Sequence, residues 1–233
     1  FNANNFNLTS TNGTKNTLVY VEDGVVNLNA TTAGKIEIKD GKNNVGIYTK
    51  ASDAFTNKGT ISIVNSDSSV GIYAKNGTGT KTDVDAVNKG IITSSDVAGV
   101  AGMMLENSIG KNDAGATITI GGIGSAGMFG KLGSEITNKG TIQATNTGIA
   151  SASAGMLADS GKAINESIIT MNGGGSAGLL GKNNATVTNA SPNGVITTKK
   201  EKSAGIYAEN SLPLNEGKIT VEGKESAGIF TKN

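Results

Sequence analysis

Eight times in this chain a small residue and a glycine are followed by two large apolar residues. The copies are Val45-Gly46-Ile47-Tyr48, Val70-Gly71-Ile72-Tyr73, Ala101-Gly102-Met103-Met104, Ala126-Gly127-Met128-Phe129, Ala154-Gly155-Met156-Leu157, Ala177-Gly178-Leu179-Leu180, Ala204-Gly205-Ile206-Tyr207 and Ala227-Gly228-Ile229-Phe230. Their glycines are 25, 31, 25, 28, 23, 27 and 23 residues apart. A period in the twenties that absorbs insertions marks a solenoid, in which one repeat cannot bury its apolar face until a neighbour stacks on it. Function in such a fold belongs to the stacked surface or to the insertions.

A second phrase recurs between the glycine motifs, as in Asn57-Lys58-Gly59-Thr60-Ile61, Asn138-Lys139-Gly140-Thr141-Ile142 and Asn215-Glu216-Gly217-Lys218-Ile219. Looser copies begin at Asn88, Asn165 and Asn193, and Ile36 and Ile118 mark two more. A short apolar piece precedes the Asn, so each repeat holds three short alternating segments punctuated by Gly, Asn, Ser and Thr. Period-two alternation with such punctuation reads as strands and turns. The predicted fold is all-β: a right-handed parallel β-helix of about nine turns, each with three short strands. The hand follows from the chirality of parallel crossovers. Stacked at ~4.8 Å per turn, the rod is on the order of 40 Å long. Leu18-Val19-Tyr20-Val21-Glu22 is read as a degenerate first copy, leaving residues 1–16 as an irregular lead-in to a single domain over 1–233.

The position four after each motif glycine tests the alignment. It holds Glu22, Lys50, Lys75, Glu106, Lys131, Asp159, Lys182, Glu209 and Lys232, alternating in sign except at Lys50 and Lys75. The motif was aligned on apolar residues, so this order is independent of it. Opposite charges stacked across strands are worth up to ~1 kcal/mol each, and they also oppose slippage by one turn. The next position holds Asn76, Asn107, Asn183, Asn210 and Asn233, which suits a turn. Alternation places Ile47, Ile72, Met103, Met128, Met156, Leu179, Ile206 and Ile229 inside. Ile36, Ile61, Ile92, Ile118, Ile142, Ile169, Ile196 and Ile219 form a second interior column. The motif glycines are expected on the outer face with the aromatic residues.

Composition narrows the chemistry. The formal net charge is +1, which gives no steering towards nucleic acid or anionic membrane. Cysteine, histidine, tryptophan and arginine are absent. Disulfides, thiolate or imidazole metal sites and histidine general bases are therefore excluded. No apolar run is long enough to span a membrane as a helix, so no direct membrane insertion is expected. Gly77-Thr78-Gly79 and Gly173-Gly174-Gly175 open no amphipathic helix and are not phosphate loops. No cofactor and no metal is expected, and no catalytic residue is assigned.

Two features are candidate binding sites. The longest insertion, around Asn76, Thr78, Thr80, Lys81, Asp83 and Asp85, stretches one repeat to 31 residues. Protruding loops on rigid scaffolds often carry recognition. Asp83 and Asp85 offer oxygens to Ca²⁺, but two carboxylates fall short of a calcium site. The insertions at 145–148 and 183–186 are weaker candidates. The aromatic column Tyr48, Tyr73, Phe129, Tyr207 and Phe230, preceded by Tyr20, offers apolar faces to sugars. Met104, Leu157 and Leu180 share that column, which favours a packing role. The repeated Asn is read as a turn stack, not a ligand site.

The phrases Ser203-Ala204-Gly205-Ile206-Tyr207-Ala208-Glu209-Asn210 and Thr56-Asn57-Lys58-Gly59-Thr60-Ile61 resemble repeats in the passenger regions of large fusobacterial type V autotransporter adhesins. The resemblance spans roughly residues 17–233 and lies in structural motifs, so no functional residue is carried over. It implies an extracellular, monomeric β-helix on the surface of a Gram-negative bacterium, part of a longer passenger anchored by an outer-membrane barrel outside this chain. It also implies adherence to a glycan or protein on host cells or other bacteria, as in virulence-associated adhesins. A stalk that displays a distant binding tip is the first alternative. A polysaccharide-degrading β-helical enzyme is the second, since distant carboxylates can converge on a β-helix face.

Overall fold

The computed structural model describes residues 2–3, 6–22, 26–28, 34–50, 55–75 and 84–233. They form 27 strands in three parallel nine-stranded sheets, each strand pairing with its equivalents one level before and after. One level of the coil is Glu135–Asn138 in the first sheet, Thr141–Ala144 in the second and Ala154–Asp159 in the third. The chain is thus a parallel β-solenoid with three faces.

Register follows the sequence columns. Ile61 pairs with Ile92, Ile92 with Ile118 and Ile118 with Ile142. Lys131 pairs with Asp159, and Asp159 with Lys182. Ile36, Ile61, Ile118, Ile142, Ile169 and Ile196 of the second sheet are fully buried. So are Ile47, Ile72, Met103, Met128, Met156, Leu179 and Ile206 of the third. Burying each such side chain contributes about 1.5–3 kcal/mol, and two continuous columns supply the core a globule would otherwise provide. Ile229 stands in register with Ile206 but is 46% exposed, because it lies in the last strand of its sheet.

The motif glycines do not face outward with the aromatic residues. A Cβ on Gly127 would lie 2.5 Å from the Ile142 side chain and 2.6 Å from the carbonyl oxygen of Gly155. Gly102, Gly155, Gly178 and Gly205 meet the same two walls, an isoleucine of the second sheet and the next glycine's carbonyl. Strict alternation fails at the second residue of each of these third-sheet strands. The ladder also skips it: Ala101 pairs with Ala126 and Met103 with Met128. Two consecutive inward positions are possible only if one has no side chain.

The expected irregular lead-in also needs correction. Asn7–Thr11 is a strand of the second sheet, with Leu8 opposite Ile36 and Ser10 opposite Ile38. The coil therefore begins before Leu18. The Asn-Gly phrase at Asn193 is likewise displaced, since the residue opposite Asn165 and Asn215 is Asn189. The turn after Asn189 carries extra residues, including a cis Ser191–Pro192 bond, and these push the Gly194-Val195-Ile196 piece away from its asparagine.

Polar ladders stitch the corners. Asn57, Asn88, Asn112, Asn138, Asn165, Asn189 and Asn215 each end a strand of the first sheet. From Asn57 to Asn189, each amide Nδ2 donates to the next level's Oδ1 at 2.8–2.9 Å. Asn57, Asn88 and Asn165 also accept from the backbone N–H two residues on. A second ladder runs along the corner entering the third sheet. The N–H of Ser125 donates to Ser153 Oγ, that of Ser176 to Ser203 and that of Ser203 to Ser226, and Asn44 and Val100 do the same to Ser69 and Ser125. Buried polar groups are tolerated here because each has a partner.

Candidate interaction surface

The outer face of the third sheet carries two adjacent columns. The first runs Tyr20, Tyr48, Tyr73, Met104, Phe129, Leu157, Leu180, Tyr207 and Phe230, each paired with the next. Tyr20 and Tyr48 stack with centroids 5.2 Å apart and planes 12° apart, Tyr48 meets Tyr73 edge-on, and Tyr207 stacks on Phe230. Tyr20 with Tyr48 and Tyr207 with Phe230 spend one ring face on each other, and Phe129 lies between Met104 and Leu157. That geometry suits packing between levels better than sugar stacking along its whole length.

The charged column lies two residues beyond the aromatic one. Lys50 pairs with Glu22, and Lys232 with Glu209 at 3.0 Å. Glu106 is the densest node: Lys75 lies 2.8 Å and Lys131 3.3 Å away, and the Tyr73 hydroxyl donates to it at 2.5 Å. Its side chain is only 13% exposed. Lys75, then Tyr73 and Lys131, hold the Glu106 carboxyl down to about 2. Burial and the Glu106 bond push the Tyr73 hydroxyl up. Lys50 over Lys75, the one like-charged neighbour pair, is relieved because each lysine turns to a carboxylate on its other side. The turn that follows takes left-handed backbone at Asn107 (φ 48°), Leu132 (53°), Ser160 (55°), Asn183 (52°) and Asn210 (47°). Asparagine recurs there because it tolerates that region better than most side chains.

Of the candidate binding loop, Asn76, Thr78, Thr80, Lys81 and Asp83 lie outside the described residues. Asp85 is 5% exposed, and its Oδ2 accepts the Ile109 N–H at 2.8 Å. It anchors backbone at the corner leading into the first sheet, as Ser134 Oγ does two levels on by accepting the Ser108 N–H. Among the described residues, no three Asp or Glu side chains gather as a metal site would need. The insertion at 145–148 folds back along the rod: Asn146 Nδ2 donates to Asp96 Oδ1 at 3.1 Å, across 50 residues of sequence. Asn183 Nδ2 donates to Asp159 Oδ1 at 2.7 Å, so the insertion at 183–186 begins by capping the charged column.

One recess opens on this surface, of about 320 Å³, lined by Ala152, Ser153, Ser176, Leu180, Lys182, Lys202, Tyr207 and Glu209 among others. Neither it nor the serine ladder was anticipated from sequence. The ladder did leave a trace, since Ser precedes the small-Gly pair at Ser69, Ser125, Ser153, Ser176, Ser203 and Ser226. The recess left none, because it arises from side-chain length differences between neighbouring levels.

No curated protein and no solved structure gives a significant match to this chain. The family model for the BigA third pectate lyase-like domain does, over residues 2–233. That match spans all three sheets, from the first strand at Asn2 to the last at Lys232. With its three-faced parallel coil in register throughout, the chain belongs to the BigA third pectate lyase-like domain family.

Proposed function

We propose that this chain is a non-catalytic segment of a bacterial surface adhesin, displayed outside a Gram-negative cell and anchored through a barrel that lies elsewhere in the protein. It meets a glycan or protein on a host cell or on another bacterium. The observation that carries this reading is the outer face of the third sheet, where an apolar column and a charged column run side by side over nine levels. An extended face of that kind suits a broad or repeating partner. Family membership adds the surface-protein context. The pectate lyase-like label describes a coil, and a fold shared with enzymes does not carry their catalysis. In the best-defined cluster, the carboxylate of Glu106 is held by two lysines and a tyrosine, an arrangement suited to holding register.

The uniform Asn and Ile columns favour a second role for the same coil, as a spacer that sets the reach of a distant tip. One experiment separates the two. Labelled, purified chain is incubated with host epithelial cells and with partner bacteria. Saturable binding that unlabelled chain competes away is the expected result. No saturable binding to either cell type contradicts the adhesin reading and leaves the spacer.

A further inference from the structure

Along the apolar column of the third sheet, Leu157 and Leu180 interrupt a run of aromatic residues before Tyr207. Leu180 and the longer Tyr207, strand partners, both line the recess described above. Phe230 covers one face of the Tyr207 ring at 5.2 Å, leaving the other on the side of Leu180. Ala177 and Ala204 add no bulk. The lining also includes Ala152 and Ser153, at the end of the chain's second-longest repeat, and Gly175 and Lys202 at left-handed turns (φ 64° and 56°). At about 320 Å³ the recess falls at the lower end of the ~300–1,000 Å³ usual for small-molecule sites.

Its lining carries two lysines and one carboxylate. Lys182 has Asp159 and Glu209 as strand neighbours and acts on Glu209 through space, but the closest partner of each carboxylate is another side chain. Asp159 accepts from Asn183 and Glu209 pairs with Lys232. Among the described residues Lys182 makes no ion pair within 4.0 Å. Lys202 has only Glu225, at 4.0 Å, with both side chains well exposed. Two ammonium groups thus border an apolar wall of leucine and tyrosine, while the one carboxylate of the recess is neutralised from the next level.

We infer that this recess binds the carboxylate-bearing sugar residue of an acidic glycan. The carboxylate meets Lys182 in a charge-assisted hydrogen bond, the apolar face of the ring lies on Leu180 and Tyr207, and Lys202, at the other end of the strand, adds positive charge to the far side of the recess. The inference deepens the adhesin proposal and takes its biological role from it, but the binding itself is measured without cells. A terminal sialic acid and a uronic acid share the required chemistry.

The test is titration of the purified 233-residue chain, followed by amide NMR, with sialyllactose, trigalacturonate, lactose and lactose 3′-sulfate, which is sulfated but carries no carboxylate. One or both carboxylated sugars should shift the amides of Leu180, Lys182, Lys202 and Tyr207, and which one does so identifies the source. Lactose and the sulfated sugar should leave them in place. Lys182→Ala with Lys202→Ala should weaken binding about tenfold or more. Tyr207→Leu, tolerated because leucine fills that column at 157 and 180, should weaken it with the lysines intact. Added salt should weaken it as well. The inference is overturned if neither carboxylated sugar shifts these amides, if the double variant binds as tightly as the parent, or if lactose or the sulfated sugar binds equally well. If the chain binds cells while the recess ignores all four sugars, the adhesin reading stands and this one falls.

Discussion

At the scale of single residues, buried polar side chains keep this rod in register. Asn138 illustrates the point: it accepts from Asn112 and donates to Asn165, both at 2.8 Å, and it is fully buried. Asn138→Ala strips the donor amide of Asn112 and the acceptor oxygen of Asn165 of their main partner. Leaving buried groups unsatisfied costs about 1–3 kcal/mol apiece, so urea unfolding should show a loss of that order or more. Asn215→Ala, at the exposed last level, should cost much less, and equal losses would mean the ladder is not what stabilises the corner. Leu132 presents the opposite case, a leucine held at φ 53° and 61% exposed. Left-handed backbone costs an ordinary L-residue roughly 1–2 kcal/mol. Leu132→Asn should therefore raise stability by about 1 kcal/mol in the same assay. Glu106 sets a pH dependence. Its carboxyl is held near 2 in the folded chain against 4.5 for the free group, so its contribution is complete above about pH 4.5 and is lost as pH falls towards 2. The stability gap between the parent and Glu106→Gln should be constant from pH 7 to 5 and close between pH 4.5 and 2. A gap that persisted at pH 2 would exclude this cause.

At the scale of elements, packing between faces explains which sequence signals spoke and which misled. Across the corner from the third sheet to the first, side-chain volumes compensate. Leu105 faces Gly110, where an added Cβ would lie 2.2 Å from the leucine's Cδ2, while one level on Gly130 faces Ile136. Gly110→Ala should destabilise by about 1–3 kcal/mol through overpacking, and Leu105→Ala in the same chain should recover much of that loss. Gly127→Ala should not be rescued by trimming Ile142, because the second wall is the Gly155 carbonyl, which is backbone. Double-mutant unfolding distinguishes the two. These contacts also mark the limits of reading strands by alternation. The Ile columns were legible because they sit within strands, where period two holds, and the charged column because it closes each third-sheet strand at a fixed offset from the glycine. The inward motif glycines were not, because the ladder skips a residue there and two consecutive positions face inward. Asn189 was missed because extra residues up to Asn193 place a decoy Asn-Gly beside Val195. The strand at Asn7–Thr11 was missed because Asn-Leu-Thr-Ser-Thr offers one apolar residue and no glycine motif to align. The recess lacked a sequence signature of its own, and Asp85 looked like loop chemistry until its backbone partner was seen.

At the scale of the molecule, the account rests on one geometry, in which every repeat lies level upon level with equivalent residues opposed. The aromatic and charged columns, the Asn and Ser ladders and the Lys182 recess all depend on it. The absence of cysteine makes a direct test clean. Thr93 and Thr119 are strand partners on the outer face of the second sheet, and Thr119 is in turn the partner of Gln143. Adjacent parallel strands lie ~4.8 Å apart, within the ~4.4–6.8 Å Cα separation a disulfide accepts, whereas two levels span roughly 9.6 Å. Cysteines are introduced pairwise and oxidised in the folded chain, and the crosslink is read by mass spectrometry. Thr93→Cys with Thr119→Cys should close an intramolecular disulfide, and Thr93→Cys with Gln143→Cys should not. A 93–143 bridge, or no 93–119 bridge in a chain that keeps its strand content, would contradict the register on which the rest depends.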